Sequence, residues 1–361
     1  MFVNSDNIGV NENSFLNCDI AIYIDGRNNN AGSNYINNCK EGIFVSGTGN
    51  LLNLNKIYNI MGNAFTIKGS NNTICLNRID GSYRGVYINS EFNTIENNVI
   101  KNFKYHRIEI NRYGLNNVFN NNISSNGVGT GIRIVSSWND IENNKVSGVK
   151  YGISVNGHKN LLQNNTLKSN YYGISAKGSN NVFSKNTISG KNGISVNGKY
   201  NTIAFNKIKV TGLGIYLKGN NSGINGGSYF TTITAKKGVH VIGHKNVLQN
   251  LKVKSKIYGM HILGNKNTLF ANTLTKNKKI GIQVIGHINK IKQNKINRNG
   301  DHGLKLVGNN NSITKNNLQM NKHHQIKILG VKNKISKNKF RTILNKAINT
   351  VYSKNSFNKN R

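Results

Sequence analysis

Apolar and polar positions recur along this chain in one frame, cleanest between Gly152 and Ile208. It reads G-I-x-V-x-G-x-x-N-x-[IL]-x-x-N-x-[IL], followed by a short variable turn. Gly152, Ile153, Ser154 and Val155 lead to Asn160, Leu162, Asn165 and Leu167. Gly173 and Gly193 open the next two copies. The frame also starts at Gly42, Ala64, Gly85, Arg107, Gly131, Gly214, Gly238, Gly259, Gly281, Gly303 and Gln325, so successive starts lie 20 to 24 residues apart. Each copy carries short stretches of alternating polarity, the period of a strand. Ile153 and Val155 face one way and Ser154 the other. A unit of about 21 residues cannot bury its apolar face alone, so units must stack. The pattern predicts an all-β, single-stranded right-handed parallel β-helix (a solenoid) of about 15 coils, three short strands to each.

Two asparagine slots support stacking. One runs through Asn50, Asn72, Asn93, Asn139, Asn160, Asn181, Asn201, Asn246, Asn267, Asn289, Asn311 and Asn333. The other runs through Asn55, Asn77, Asn98, Asn144, Asn165, Asn186, Asn206, Asn272, Asn294, Asn316 and Asn338. Asn tolerates the left-handed backbone of turns, and stacked amides can bond up and down a column. The chain has no proline, as expected where every strand needs its N–H for a neighbour.

On these G-I-x-V and N-x-I-x-x-N-x-I frames the chain resembles the right-handed parallel β-helix proteins of the pectin lyase-like superfamily, in their Asn-rich repeat branch. That superfamily includes polysaccharide lyases, glycoside hydrolases, uronan C5-epimerases, phage tailspikes, adhesins and a periplasmic copper-binding maturation protein. The resemblance therefore implies the fold, and the choice of function falls to the chemistry of the site. The sequence lacks the DPH motif of the epimerases.

The frame divides the chain into residues 1–20, a minimal N-terminal cap or truncated start, 21–346, the parallel β-helix, and 347–361, a last coil or tail. Lys and Arg number 49 against 12 Asp and Glu, a net charge of +37. Lys, Asn and Ile together suit an AT-rich genome, but that does not account for the shortage of acids. The charge points to a polyanionic partner: an acidic polysaccharide first, teichoic acid or nucleic acid behind it. No run is apolar enough to span a membrane, and residue 1 is not followed by a basic-then-apolar leader. A secreted, cell-surface or virion-associated setting is expected. Three cysteines do not make a disulfide framework. Cys18 and Cys39 share a slot on adjacent coils, where two small buried side chains are expected.

Like slots stack, so outward residues form columns. The first strand's outward column reads Tyr23, Phe44, Thr66, Tyr87, Glu109, Arg133, Ser154, Ser175, Ser195, Tyr216, His240, His261, Gln283, Lys305 and Lys327. The slot before each start supplies Arg84, His106, Tyr151, Tyr172, Lys237, Tyr258, His302 and His324. Together they make a face of aromatics and cations. Aromatic rings suit sugar rings, and guanidinium groups suit carboxylate or sulfate. A solvated strand face with incidental aromatics would share this composition.

Five of the nine arginines and six of the twelve acids fall within residues 64–150. Removing the proton beside a uronate carboxylate requires a cation on that carboxylate, a base, and an acid for the leaving oxygen. Tyr105, His106, Arg107, Glu109 and Arg133 are the catalytic candidates. Arg107 and Arg133 would neutralise, His106 and Tyr105 would move protons, and Glu109 would orient. Arg84, Tyr87, Arg112, Tyr151 and Tyr172 are expected to bind substrate. Such a site would make a polysaccharide lyase or a C5-epimerase. A non-catalytic binder, adhesin or tailspike-like, is the alternative, and a plain Glu109–Arg133 surface ion pair would suit it. Hydrolysis wants two carboxyls flanking one bond, and only Glu109 is well placed. A Ca²⁺ site wants clustered acids, which this face lacks, so no cofactor is expected. Asp301, His302, His324 and Lys305 form a second candidate. His240 and His261 stack as neighbours, but without an evident third ligand a copper role is not favoured.

Overall fold

The computed structural model describes residues 1–341, 348–350 and 356–358. They form an all-β, right-handed parallel solenoid of about 16 turns. The chain clusters into two compact units, Met1–Asn181 and Val182–Arg361.

Within the first unit each coil has three strand segments, each paired in parallel with its counterpart one coil on, and in places the third runs unbroken into the first of the next coil, as in Lys56–Ile67 and Arg78–Ile88. The first-strand ladder runs from Tyr23–Phe44 through Thr66, Tyr87, Glu109, Arg133 and Ser154 to Ser175. Its inward neighbours Ile22, Ile43, Phe65, Val86, Ile108, Ile132, Ile153 and Ile174 are all buried. Alternation of large β-branched side chains with outward polar ones thus fixes the register. Residues 1–20, expected as a cap or truncated start, make a coil of the same kind. Phe2 lies opposite Tyr23, Gly9 opposite Asn30 and Ser14 opposite Tyr35.

The second unit repeats the design. Ser195, Tyr216, His240, His261, Gln283, Lys305 and Lys327 form its outward column. Most of the stretch expected over 347–361 lies outside the described residues. The backbones of Ile348–Thr350 and Ser356–Asn358 pair in register with Ile326–Leu329 and Lys334–Ser336.

Both asparagine columns are buried ladders. Asn98 is typical. Its Oδ1 accepts the backbone N–H of Asn77 at 2.9 Å and the Asn77 amide at 3.0 Å. Its own Nδ2 donates to the carbonyl of Ile74 at 2.9 Å and to Asn121 Oδ1 at 3.0 Å. The left-handed residue at the corner is not the ladder asparagine, as expected from sequence, but the one before it. Leu76, Phe92, Asn97, Trp138, Lys159 and Tyr200 all have φ between 55° and 65°. The corner turns at that exposed residue, which leaves the asparagine free to point inward. A third buried ladder, Asn277, Asn299 and Asn321, was not anticipated. Cys18 and Cys39 meet on adjacent coils as free thiols, and burial raises the Cys39 pKa.

Candidate functional site

In the first unit the start slot faces inward, and this decides the fate of Arg107. Its neighbours in that slot are Gly85 and Gly131, and Arg107 is fully buried. Its guanidinium donates to the carbonyls of Tyr105 and Phe103, both at 3.1 Å, and to Ser125 Oγ. Burial pulls its pKa down to about 10. Gly129 makes room: a Cβ there would sit 2.3 Å from Arg107 Nη1 and 2.0 Å from the Tyr105 carbonyl. Arg107 ties down the corner of the irregular stretch between Phe103 and Gly131. It does not line the outward face on which a carboxylate was expected to meet it.

Glu109 and Arg133 do come together, and Arg84 joins them. Glu109 is buried; one of its oxygens lies 2.7 Å from Arg84 Nε, a charge contact without hydrogen-bond alignment, and the other accepts from Arg133 Nη1. The Arg84 guanidinium lies 5.2–5.4 Å from the ring centres of Tyr83, Tyr87 and Tyr105. Tyr83 stacks on Tyr105 at 5.4 Å, and Tyr83 and Lys104 edge a hollow of about 310 Å³. His106 is buried against Tyr105 at 3.9 Å, and neither ring nitrogen has a hydrogen-bond partner. Burial, with Arg133, Arg84 and Arg107 adding to it, holds its pKa at about 3. The cluster is therefore one carboxylate shared by two guanidiniums, walled by tyrosines, over a neutral and enclosed imidazole.

The other binding candidates separate from it. Arg112 sits past the strand end, left-handed at φ 64°, and lines another hollow with Glu91, Trp138 and His158. Tyr151 and Tyr172 face each other across the ladder, with Tyr171 packed edge-on between them at 5.5 and 4.8 Å. Asp140 and Glu142 belong to the middle strand, which is not in Glu109's ladder.

In the second unit a tighter arrangement appears around Tyr258. Its phenolic oxygen lies 3.4 Å from His240 Nδ1. The His240 and His261 rings meet edge-on at 4.9 Å, and Tyr216 stacks on His240 at 5.6 Å. The enclosed His261 Nε2 has no hydrogen-bond partner. Burial, then His240 and Lys237, hold the His261 pKa at about 4. Burial and Lys237 lower that of His240, and burial raises that of Tyr258. The sequence placed His240 beside His261 but did not join Tyr258 and Lys237 to them. The signal was present: Lys237 and Tyr258 hold the slot before the start on those same two coils.

Asp301 also gathers imidazoles. His323 Nδ1 lies 2.7 Å from its carboxylate and His302 Nε2 lies 3.6 Å away. The partner at hydrogen-bonding distance is thus His323, whereas the His324 ring lies tilted against His302 at 5.2 Å and its backbone N–H donates to His302 Nδ1 at 3.3 Å. The donor atoms of Asp301, His302 and His323 lie within 4.8 Å of one another, a set able to hold a metal ion. Lys305 stays in the outward column opposite Lys327. No helix of the described residues is long and apolar enough to cross a membrane.

Comparison with known proteins agrees with the architecture. The profile of the right handed beta helix region matches residues 130–232 and 228–361, and that of the periplasmic copper-binding protein NosD matches residues 1–140. No curated protein matches the chain in sequence. Among solved structures, the A-module of the Azotobacter vinelandii mannuronan C-5 epimerase AlgE4 aligns over 93% of this chain and 90% of its own, at 10% identity and a TM-score of 0.39. The AlgE6 A-module covers 94% and 90%, at 10% identity and 0.37. The periplasmic alginate epimerase AlgG covers 94% and 77%, at 13% identity and 0.31. With well over half its length matched by that profile, the chain belongs to the right handed beta helix family.

Proposed function

We propose that this protein acts on an acidic polysaccharide by abstracting the proton beside a uronate carboxylate, at Tyr258, His240, His261 and Lys237. The observation that carries this reading is the Tyr258–His240–His261 contact set beside a lysine. Environments that push two titratable groups apart assign acid and base. Tyr258, raised by burial, stays a protonated phenol. His261, held at about 4, is a neutral imidazole at pH 7. In this reading His261 takes the C5 proton on Nδ1, the ring nitrogen that is not enclosed, and the electron pair passes into the substrate carboxylate, where Lys237 meets the growing charge. A pKa near 4 makes a weak base in the free protein. A carboxylate seated on Lys237 offsets that lysine's share of the lowering, which is smaller than the shares of burial and His240. If the C4–O bond then breaks, Tyr258 protonates the leaving oxygen and the product is an unsaturated uronide. If instead Tyr258 gives its proton to C5 on the opposite face while His261 keeps the one it took, the product is the epimer.

A binding role without turnover is the second reading, favoured by the first unit. There Glu109 already holds Arg84 and Arg133, and His106 is enclosed. Such a face offers tyrosine platforms and partly exposed guanidiniums to a sugar chain but no accessible base. Either reading sets the protein where such polymers are found, outside the cytoplasm.

The test is an ultraviolet time course on a panel of polyuronates, with proton NMR of the same samples for inversion at C5. Product by either readout, lost at least a hundredfold in Tyr258→Phe and His261→Gln with the fold intact, supports the assignment. Flat traces and unchanged spectra across the panel, with salt-sensitive binding retained, leave the binder.

A further inference from the structure

The second unit has a concentration of charge that the proton chemistry does not use. Lys236, Lys254, Lys256, Lys276 and Lys278 line one hollow of about 280 Å³, with Thr234 among its walls. All five lysines are exposed, and among the described residues none is ion-paired to a carboxylate. The only acid anywhere in this unit is Asp301, and it does not line the hollow.

The coil builds this hollow. Lys256 donates its backbone N–H to the carbonyl of Lys236 at 3.1 Å, and Lys278 donates to that of Ser255 at 3.0 Å. Lys236, Lys256 and Lys278 therefore occupy one corner on three successive coils. Stacked strands rise by ~4.8 Å, which brings like charges close enough to repel even in water. An anion between them converts that repulsion into attraction. The corner also adjoins the chemistry: Lys236 precedes Lys237, and Lys256 lies two residues before Tyr258.

We infer that this corner is a subsite for consecutive uronate residues, holding the polymer parallel to the direction in which the coils stack. A chain of hexopyranose rings advances by nearly the same distance per sugar as the protein does per coil. Successive sugars also turn about the chain axis, so only some carboxylates face the corner directly, and the long lysine stems on successive coils reach those turned aside. Such a match selects a regularly charged chain over an anion with its charges bunched, and it feeds the sugar beside the corner onto Lys237. This rests on the polyuronate reading above, so binding and turnover are measured separately.

The probe is a labelled galacturonate octamer, titrated against the whole protein at two salt concentrations. Lys236→Gln, Lys256→Gln and Lys278→Gln are combined in one variant. A second variant combines Lys290→Gln, Lys292→Gln and Lys334→Gln, exposed lysines on the middle strands of the same unit. Both lose the same charge. The corner variant is expected to bind about tenfold more weakly with a shallower salt dependence, and the control within about twofold of wild type. Equal weakening in both variants, or no weakening in either, overturns the subsite. So does a single-stranded DNA of equal charge that binds the corner more tightly than the octamer. Absence of product from a protein that still holds the octamer through this corner sinks the catalytic reading alone.

Discussion

Substituting Asn98 by alanine tests whether the amide ladder holds the coils together. The change removes Oδ1 from the Asn77 N–H and from the Asn77 amide, and Nδ2 from the Ile74 carbonyl and from Asn121 Oδ1. The Asn98 backbone N–H keeps its own bond to Asn121 Oδ1. The Asn77 backbone N–H is stranded outright, while the Asn77 amide keeps the Leu52 carbonyl and the Ile74 carbonyl keeps its strand partner, each losing one of two bonds in a place where Asn98 itself is fully buried. Each stranded buried group costs ~1–3 kcal/mol, and relaxation of the Asn77 side chain recovers part of that. The expected loss is about 3 kcal/mol. Stacked repeats can open locally, so urea unfolding is paired with hydrogen exchange at the Asn77 amide, which should lose protection before amides several coils away. A loss under about 1 kcal/mol with the Asn77 amide still protected would refute the ladder as a source of stability.

Three other outcomes follow from the geometry. His106 titrates at about 3 in the folded chain against an ordinary 6.5. The unfolded chain therefore takes the proton first as pH falls, and stability declines from about pH 6.5 and levels off below about pH 3. His106→Phe should remove a slope worth on the order of 4 kcal/mol across that window, read as the difference between two pH–stability curves; parallel curves would contradict it. Glu109→Gln takes the carboxylate from both Arg84 and Arg133 and should cost about 2 kcal/mol, less than a fully buried pair because both guanidiniums are partly exposed; a Glu109/Arg133 double-mutant cycle with no coupling would count against the pairing. Gly129→Ala forces a Cβ onto the Tyr105 carbonyl and Arg107 Nη1 and should lower the melting temperature, whereas Gly223→Ala, with nothing within 4 Å of its Cβ, should leave it nearly unchanged.

The columns are legible in the sequence because strand period and coil length together dictate what stacks on what. Tyr87, Glu109 and Arg133 fall in line, as do Tyr216, His240 and His261. Arg107 was misjudged because charge argued for the surface, while its slot, shared with Gly42 and Gly85, argued for the interior. The slot prevails because backbone carbonyls and Ser125 take both terminal nitrogens of the guanidinium, leaving only Nε without a partner. Asp301 and His323 stand 22 residues apart, the same coil spacing as His302 and His324, but the columns above stop at the slot before each start, one residue short of them. Arg84 was read as a substrate ligand, yet its position before the start brings Nε within reach of Glu109 on the next coil.

The left-handed corner residue has a consequence for how such proteins diverge. Leu76, Trp138, Lys159 and Tyr200 fill the same geometric role with side chains that share no chemistry. The backbone asks only for a conformation there, and the ladder asparagine that follows guarantees it. Corners are thus open to mutational drift, and a lineage can load them with lysine or aromatics without touching the architecture. Likeness between two such chains then chiefly registers the invariant scaffold, while whatever distinguishes their biology is written in the positions that alignment weighs least.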